Sequence, residues 1–178
     1  VIGQAIDDEY IKELTTISLS PEAISRHKDM KIVYTPIHGT GVKLVPAALK
    51  AYGFTNIIHV PEQDVVSGDF PTVISPNPEE PAALAMAVEK AKETDAELVM
   101  ASDPDADRVG AAVKNNEGEW VLLNGNQTAL MFVYYLITRW KELGKINGKE
   151  YIVKTIVTTE TIKTIAERNG VEMYDVYT

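Results

Sequence analysis

ELVMASDPDADR, Glu97 to Arg108, joins a short apolar run to an acidic turn. Glu97 to Ser102 is bounded by polar residues and suits a buried strand. Asp103, Asp105 and Asp107 follow at alternate positions, and then the guanidinium of Arg108. In an extended or gently looped backbone, residues two apart project to the same side, so this spacing aims three oxygen donors at one point. Mutual repulsion there raises at least one carboxyl pKa unless a hard divalent ion neutralises the group. Mg2+, which takes a few carboxylates, waters and a phosphate oxygen, is the natural occupant. Arg108 fits beside it as a phosphate clamp.

Other readings of the same residues are weaker. An EF-hand loop also begins D-x-D-x-D, but it needs glycine at its sixth position and glutamate at its twelfth, where this chain has Arg108 and Lys114. A phosphatase of the haloacid dehalogenase type places D-x-D after a strand, with the first Asp as nucleophile. Here Pro104 and the third acid depart from its D-x-D-x-T/V pattern, and the run follows about the third strand, not the first. A non-catalytic acidic interaction module, or a plain acidic turn capping a strand, would not require anything as specific as D-P-D-A-D-R.

Outward from this stretch the chain alternates strands and helices. Ile6, Tyr10, Ile11, Leu14 and Ile17 recur at helical spacing, and Ser20-Pro21-Glu22 opens a short second helix ending near His27, a solvated or capping residue. KIVYT (31–35) is the first strand, and Pro36 to Gly41 turns it into a helix over 42–52, stopped by Gly53. HGTG at 38–41 can offer backbone N–H groups to an anion, but it lacks dinucleotide and P-loop signatures and reads better as a tight turn. NIIHV (56–60) is the second strand, with His59 inside it. An irregular connection over 61–78 follows, and Asn77, Pro78 and Glu80 read as N-cap, first-turn proline and capping-box acid of a helix running to Thr94. Strands over 109–114 and 120–123 flank a turn and read as a hairpin. The sum is an α/β protein, a three-layer α/β/α sandwich on a mixed, mostly parallel sheet over residues 1–123. An incomplete second α/β unit covers 124–178, with helices over 127–143 and 160–169 and strands over 151–158 and 171–177. Ligands of such sheets gather outside the carboxyl ends of the parallel strands, where Asp103 and, after the first strand, His38 both fall.

The 178 residues carry a net charge of −9 and no basic run, which excludes a nucleic-acid partner. No cysteine is present, so disulfides and Cys-ligated zinc are excluded, and a reducing cytoplasm is the expected compartment. No window approaches the roughly eighteen apolar residues of a membrane span, and no signal peptide is seen. The chain opens on valine, so an N-terminal part is expected to have been removed.

DPDADR resembles the metal-binding loop of the α-D-phosphohexomutases, the phosphoglucomutase and phosphomannomutase superfamily. TPIHGTG (35–41), FPTVISPNPEEPAAL (70–84) and NGNQTAL (124–130) lie in that family's order, and PNPEEP resembles its phosphoglucomutase/phosphopentomutase branch. The resemblance implies an isomerase in which an active-site serine carries a phosphoryl group and passes it to a sugar monophosphate through a bisphosphate intermediate. Mg2+ would sit on Asp103, Asp105 and Asp107, phosphate on Arg108 and, by position, near His38, while Glu79 and Glu80 would be structural. The family's phosphoserine loop, T-[AS]-S-H-N-P, is absent: Ser75 and Ser102 lack the flanking His and Asn. The sugar-selecting G-E-x-S-G loop is absent too. The expectation is therefore domain II over 1–123 and the beginning of domain III over 124–178, a fragment inactive without domains I, the rest of III, and IV.

Overall fold

The computed structural model describes residues 3–178 and divides into two compact units between Leu123 and Asn124. In the first unit β1 (Lys31–Thr35), β2 (Asn56–His59), β3 (Leu98–Ser102), β4 (Val109–Lys114) and β5 (Trp120–Leu123) form one sheet in the order β2-β1-β3-β4-β5. β1 pairs in parallel with β2 and β3, whereas β4 runs antiparallel to both of its neighbours. The expected mixed sheet is present, with its parallel part at β2-β1-β3.

Strand alternation sorts the side chains onto two faces. Val33, Val99, Ala101 and Ala112 point to one face and bury against α5 (Pro81–Thr94) through Ala83, Leu84, Ala87 and Ala91. Three of those four helix residues are alanines at i, i+4 and i+8, so the helix backbone can lie close on the sheet. Ile32 and Tyr34 point to the opposite face, which α3 (Gly41–Tyr52) covers. α1 (Gln4–Thr16) packs outside α3, where the Tyr52 hydroxyl donates to the Leu14 carbonyl at 2.8 Å. Of its expected stripe only Ile11 and Leu14 are partly covered, and Ile6, Tyr10 and Ile17 stay exposed. A short α2 (Pro21–Arg26) ends at His27 as its C-cap, and Gly53 closes α3 at φ +116°.

Two expectations are corrected. The helix before β3 starts at Pro81, not Pro78, with Glu80 in the N-cap position. Asn77 instead makes a turn ahead of it, its side-chain oxygen accepting from Glu79 N (3.1 Å) and its carbonyl from Glu80 N (3.0 Å). The sequence holds two prolines suited to a first helical turn, and the Asx turn at Asn77 spends the first outside the helix. The connection over 61–78 is also not wholly irregular, since α4 (Pro61–Asp64) adds one helical turn.

β1 sits between β2 and β3, so the chain leaves β1 toward one side through α3 and returns to the other side through α5. That reversal is the switch point of an open α/β sheet, where the loops after two adjacent parallel strands separate and leave a crevice. Here those loops are 35–41, after β1, and 102–108, after β3.

The second unit holds α6 (Gly125–Glu142), β6 (Tyr151–Thr155), α7 (Thr161–Asn169) and β7 (Glu172–Val176), with β6 and β7 parallel. Ile137, Ala166 and Val171 centre its small core. Lys154 is buried and bridges Glu160 (2.8 Å) and Asp175 (2.5 Å), tying β6, the start of α7 and β7 together. α6 is capped by a reciprocal box: Asn124 Oδ1 accepts from Gln127 N and Gln127 Oε1 from Asn124 N, both at 2.9 Å. Asn124→Ala is expected to destabilise this unit by about 1 kcal/mol, measured by urea unfolding, with Asn124→Asp restoring most of it.

Candidate metal centre

Asp103 follows β3 directly and is 1% exposed. Its Oδ1 accepts from the Arg108 backbone N–H at 2.9 Å and its Oδ2 from Arg108 Nε at 2.8 Å. Ala106 N donates to the Asp103 carbonyl at 3.0 Å, and Ala106 takes φ +62°, the left-handed kink that curls the loop back toward Asp103. Asp105 and Asp107 stay exposed on the curl. Each of the three acids offers a carboxylate oxygen, and these oxygens lie within 4.8 Å of one another. Arg108 stands beside them, 57% exposed, with Nε 3.9 Å from Asp107 Oδ1.

The electrostatics separate the acids. Burial alone would raise the Asp103 carboxyl, but the backbone and side-chain hydrogen bonds from Arg108 outweigh it and hold the group below the ordinary carboxylate range. The neighbouring charges of Asp105 and then Asp103 push Asp107 up. Asp103 thus pulls Arg108 into place while the exposed acids repel each other, an arrangement that an added cation relieves. The donor set is all oxygen, which suits a hard divalent ion and gives no foothold to a metal that wants nitrogen or sulfur.

His38 lies apart from this group. It is 1% exposed, with Nδ1 2.8 Å from the Val65 carbonyl and Nε2 2.8 Å from Thr72 Oγ1, so both ring nitrogens are occupied inside the protein. Three of the four N–H groups of the HGTG turn are also spent: His38 N on Gln63 O, Gly39 N on Pro36 O and Thr40 N on Pro104 O. The glycines serve close packing. A Cβ at Gly39 would lie 2.4 Å from Pro104 Cα, and one at Gly41 would lie 2.4 Å from the Tyr34 hydroxyl. Ser102 is buried with its hydroxyl 2.8 Å from that of Tyr34, whose own ionisation burial pushes up to about 12, and Ser75 donates to Glu80 at 3.0 Å. His59 pairs with Asp64 at 2.9 Å at the end of β2. Four residues next to the site's scaffold carry no local signal in the sequence: Thr40, Pro104, and the buried Gln63 with the half-buried Thr72, which bond to each other at 3.2 Å.

The sandwich thus gathers three carboxylates and an arginine just beyond the carboxyl end of β3. The chain belongs to the phosphoglucomutase/phosphomannomutase family, whose α/β/α domain II matches residues 8–118. It is 40% identical over 144 residues to a probable phosphoribomutase of Schizosaccharomyces pombe, covering 80% of this chain and 24% of that protein. It is 34% identical over 177 residues to a phosphoglucomutase of Staphylococcus saprophyticus, covering 99% and 31%. A structure of Aspergillus fumigatus N-acetylphosphoglucosamine mutase in complex with GlcNAc-6P and magnesium superposes with a TM-score of 0.62 at 16% identity, covering 95% of this chain and 34% of that one. The chain therefore spans about a quarter to a third of the length of the curated relatives it matches. Membership of a mutase family goes against a haloacid-dehalogenase nucleophile at Asp103, and so do the two Arg108 bonds on its carboxylate. Among the described residues no helix is long and apolar enough to cross a membrane.

Proposed function

We propose that this chain is the metal-loop part of a cytoplasmic phosphosugar mutase that interconverts hexose 1-phosphate and 6-phosphate. Residues 1–123 would be domain II and 124–178 the start of domain III. The observation that carries the reading is the convergence of the Asp103, Asp105 and Asp107 oxygens within 4.8 Å beside Arg108, at the switch point of the sheet.

In this reading the three carboxylates hold Mg2+. The ion supplies positive charge beside a phosphoryl group in transfer. Asp103 is the fixed ligand, because Arg108 and burial leave it one orientation, while Asp105 and Asp107 complete the set from the exposed side. Arg108 spends Nε on Asp103, which aims the guanidinium and leaves its terminal nitrogens as donors for phosphate oxygens. His38 has no part in binding here and acts as a strut. The family's phosphoserine motif does not occur in this sequence, and Ser75 and Ser102 are both engaged, so the phosphoryl-carrying serine would come from outside these residues. The piece alone should therefore show no turnover.

Calorimetric titration of the chain with Mg2+ tests the reading. Weak binding is expected, and Asp105→Asn should weaken it at least severalfold. Equal binding by both proteins would remove the metal site and favour a non-catalytic acidic module.

A further inference from the structure

The 102–108 loop is gripped from outside at its first shoulder. The Pro104 carbonyl accepts two hydrogen bonds from one residue of the neighbouring loop, Thr40 N at 2.8 Å and Thr40 Oγ1 at 3.0 Å. Thr40 occupies the N-cap position of α3, where a threonine ordinarily turns its side-chain oxygen to the helix's own N–H groups, yet it makes no such cap bond. Its hydroxyl is spent across the crevice. Gly39 presses so close to Pro104 that the smallest side chain would meet that residue's Cα, C and O at 2.4 to 2.8 Å. Behind these two residues stands a largely buried relay with one consistent proton direction. Ile37 N donates to Thr35 Oγ1, which donates to Gln63 Oε1. Gln63 Nε2 donates to Thr72 Oγ1, leaving the Thr72 proton for His38 Nε2, and His38 Nδ1 donates to the Val65 carbonyl. Ile37 and His38, at φ +45° and +63°, hold left-handed conformations that only such over-determined surroundings maintain.

We propose that Thr40 is a positioning residue for the divalent cation: by holding the Pro104 carbonyl it fixes the path of the backbone between Asp103 and Asp105, and so presets the distance between their carboxylates. The relay through Thr35, Gln63, Thr72 and His38 keeps the 35–41 loop rigid enough to do this. The proposal rests on the reading of the three acids as the metal site. A loop held open at that spacing binds without first having to be ordered, and a loop released from Thr40 loses part of its affinity to that ordering.

The test is Mn2+ binding to the 178-residue chain, read by electron paramagnetic resonance, together with thermal unfolding of the metal-free protein. Thr40→Val should weaken Mn2+ by about three- to tenfold, the worth of one hydrogen bond, while the metal-free melting temperature falls by no more than about 2–4 °C. Thr40→Ser should restore wild-type affinity. Gly39→Ala should weaken it more. Should Gly39→Ala fail to fold, the Thr40 pair decides. Thr40→Val binding Mn2+ as tightly as wild type would overturn the proposal, and so would Thr40→Ser remaining as weak as Thr40→Val. Failure of the underlying reading looks different: Asp105→Asn would then match wild type, and the proposal would fall with it.

Discussion

Asp103→Asn should bind Mg2+ at least a hundredfold more weakly than wild type and should lower the unfolding free energy by about 2–3 kcal/mol at neutral pH, the range for a charge-assisted hydrogen bond lost in the interior. The amide keeps an acceptor for the Arg108 backbone N–H, but its nitrogen then faces Arg108 Nε, donor against donor, where wild type has a 2.8 Å ion pair. Arg108 is over half exposed and can turn to water, which keeps the cost below that of a fully buried charge left unpaired. The pH dependence has a definite sign. Asp103 titrates lower in the folded protein than its unfolded value, so its contribution is full above that unfolded value, about 3.9, and fades as pH falls through the folded one. Urea unfolding should show a clear gap between wild type and Asp103→Asn at pH 7 and a narrowing gap in strong acid. Asp107→Asn is the contrast, since Asp107 is exposed and its carboxyl already raised by its neighbours. It should weaken metal binding with little change in stability. Equal stability of wild type and Asp103→Asn at pH 7 would mean that the pair with Arg108 contributes nothing.

Gly110→Ala is the second large effect. A Cβ there would sit 2.1 Å from the Pro78 carbonyl oxygen and 2.7 Å from its carbon, both backbone atoms that cannot swing aside. Gly110 pairs with Ala101 in the β3–β4 ladder, so relief requires moving either β4 or the end of the 61–78 connection. Overpacking of this kind costs about 1–3 kcal/mol where side chains give way, and rigid backbone should put this case at or above the upper end. β4 starts one residue after Arg108, so the displacement should also reach the acids and weaken Mg2+ in whatever protein still folds. Gly68→Ala, which places its methyl in open space, is the control and should melt with wild type. Near wild-type stability for Gly110→Ala would show that the Pro78 contact is softer than its distance suggests.

The elements of the first unit were legible because they follow from local pattern: short apolar runs for β1 to β5 and a stripe of small and apolar residues for α5. The triad was legible for the same reason, being a matter of spacing within one short loop. What local pattern did not show was set by competition or by distance along the chain. Pro78 and Pro81 suit a helix start equally well, and only the Asx turn at Asn77 decides between them. His38 falls at the ligand end of β1, but its side chain turns inward to Val65 and Thr72, residues of a connection with no periodic signal. Thr40 and Pro104 are 64 positions apart, and nothing near either of them announces the other. They meet only because the strand order places β1 beside β3.

That meeting has a kinetic side. Contacts between residues so distant in sequence must wait until the intervening chain has been ordered, and they accordingly belong to the slow, topology-limited part of folding. The acidic loop's local curl rests on its own contiguous residues, whereas its grip by Thr40 needs β1 and β3 side by side. Conversely, a cation that prefers the finished loop favours the paired sheet beneath it, and its binding energy spreads into the cooperativity of the whole unit.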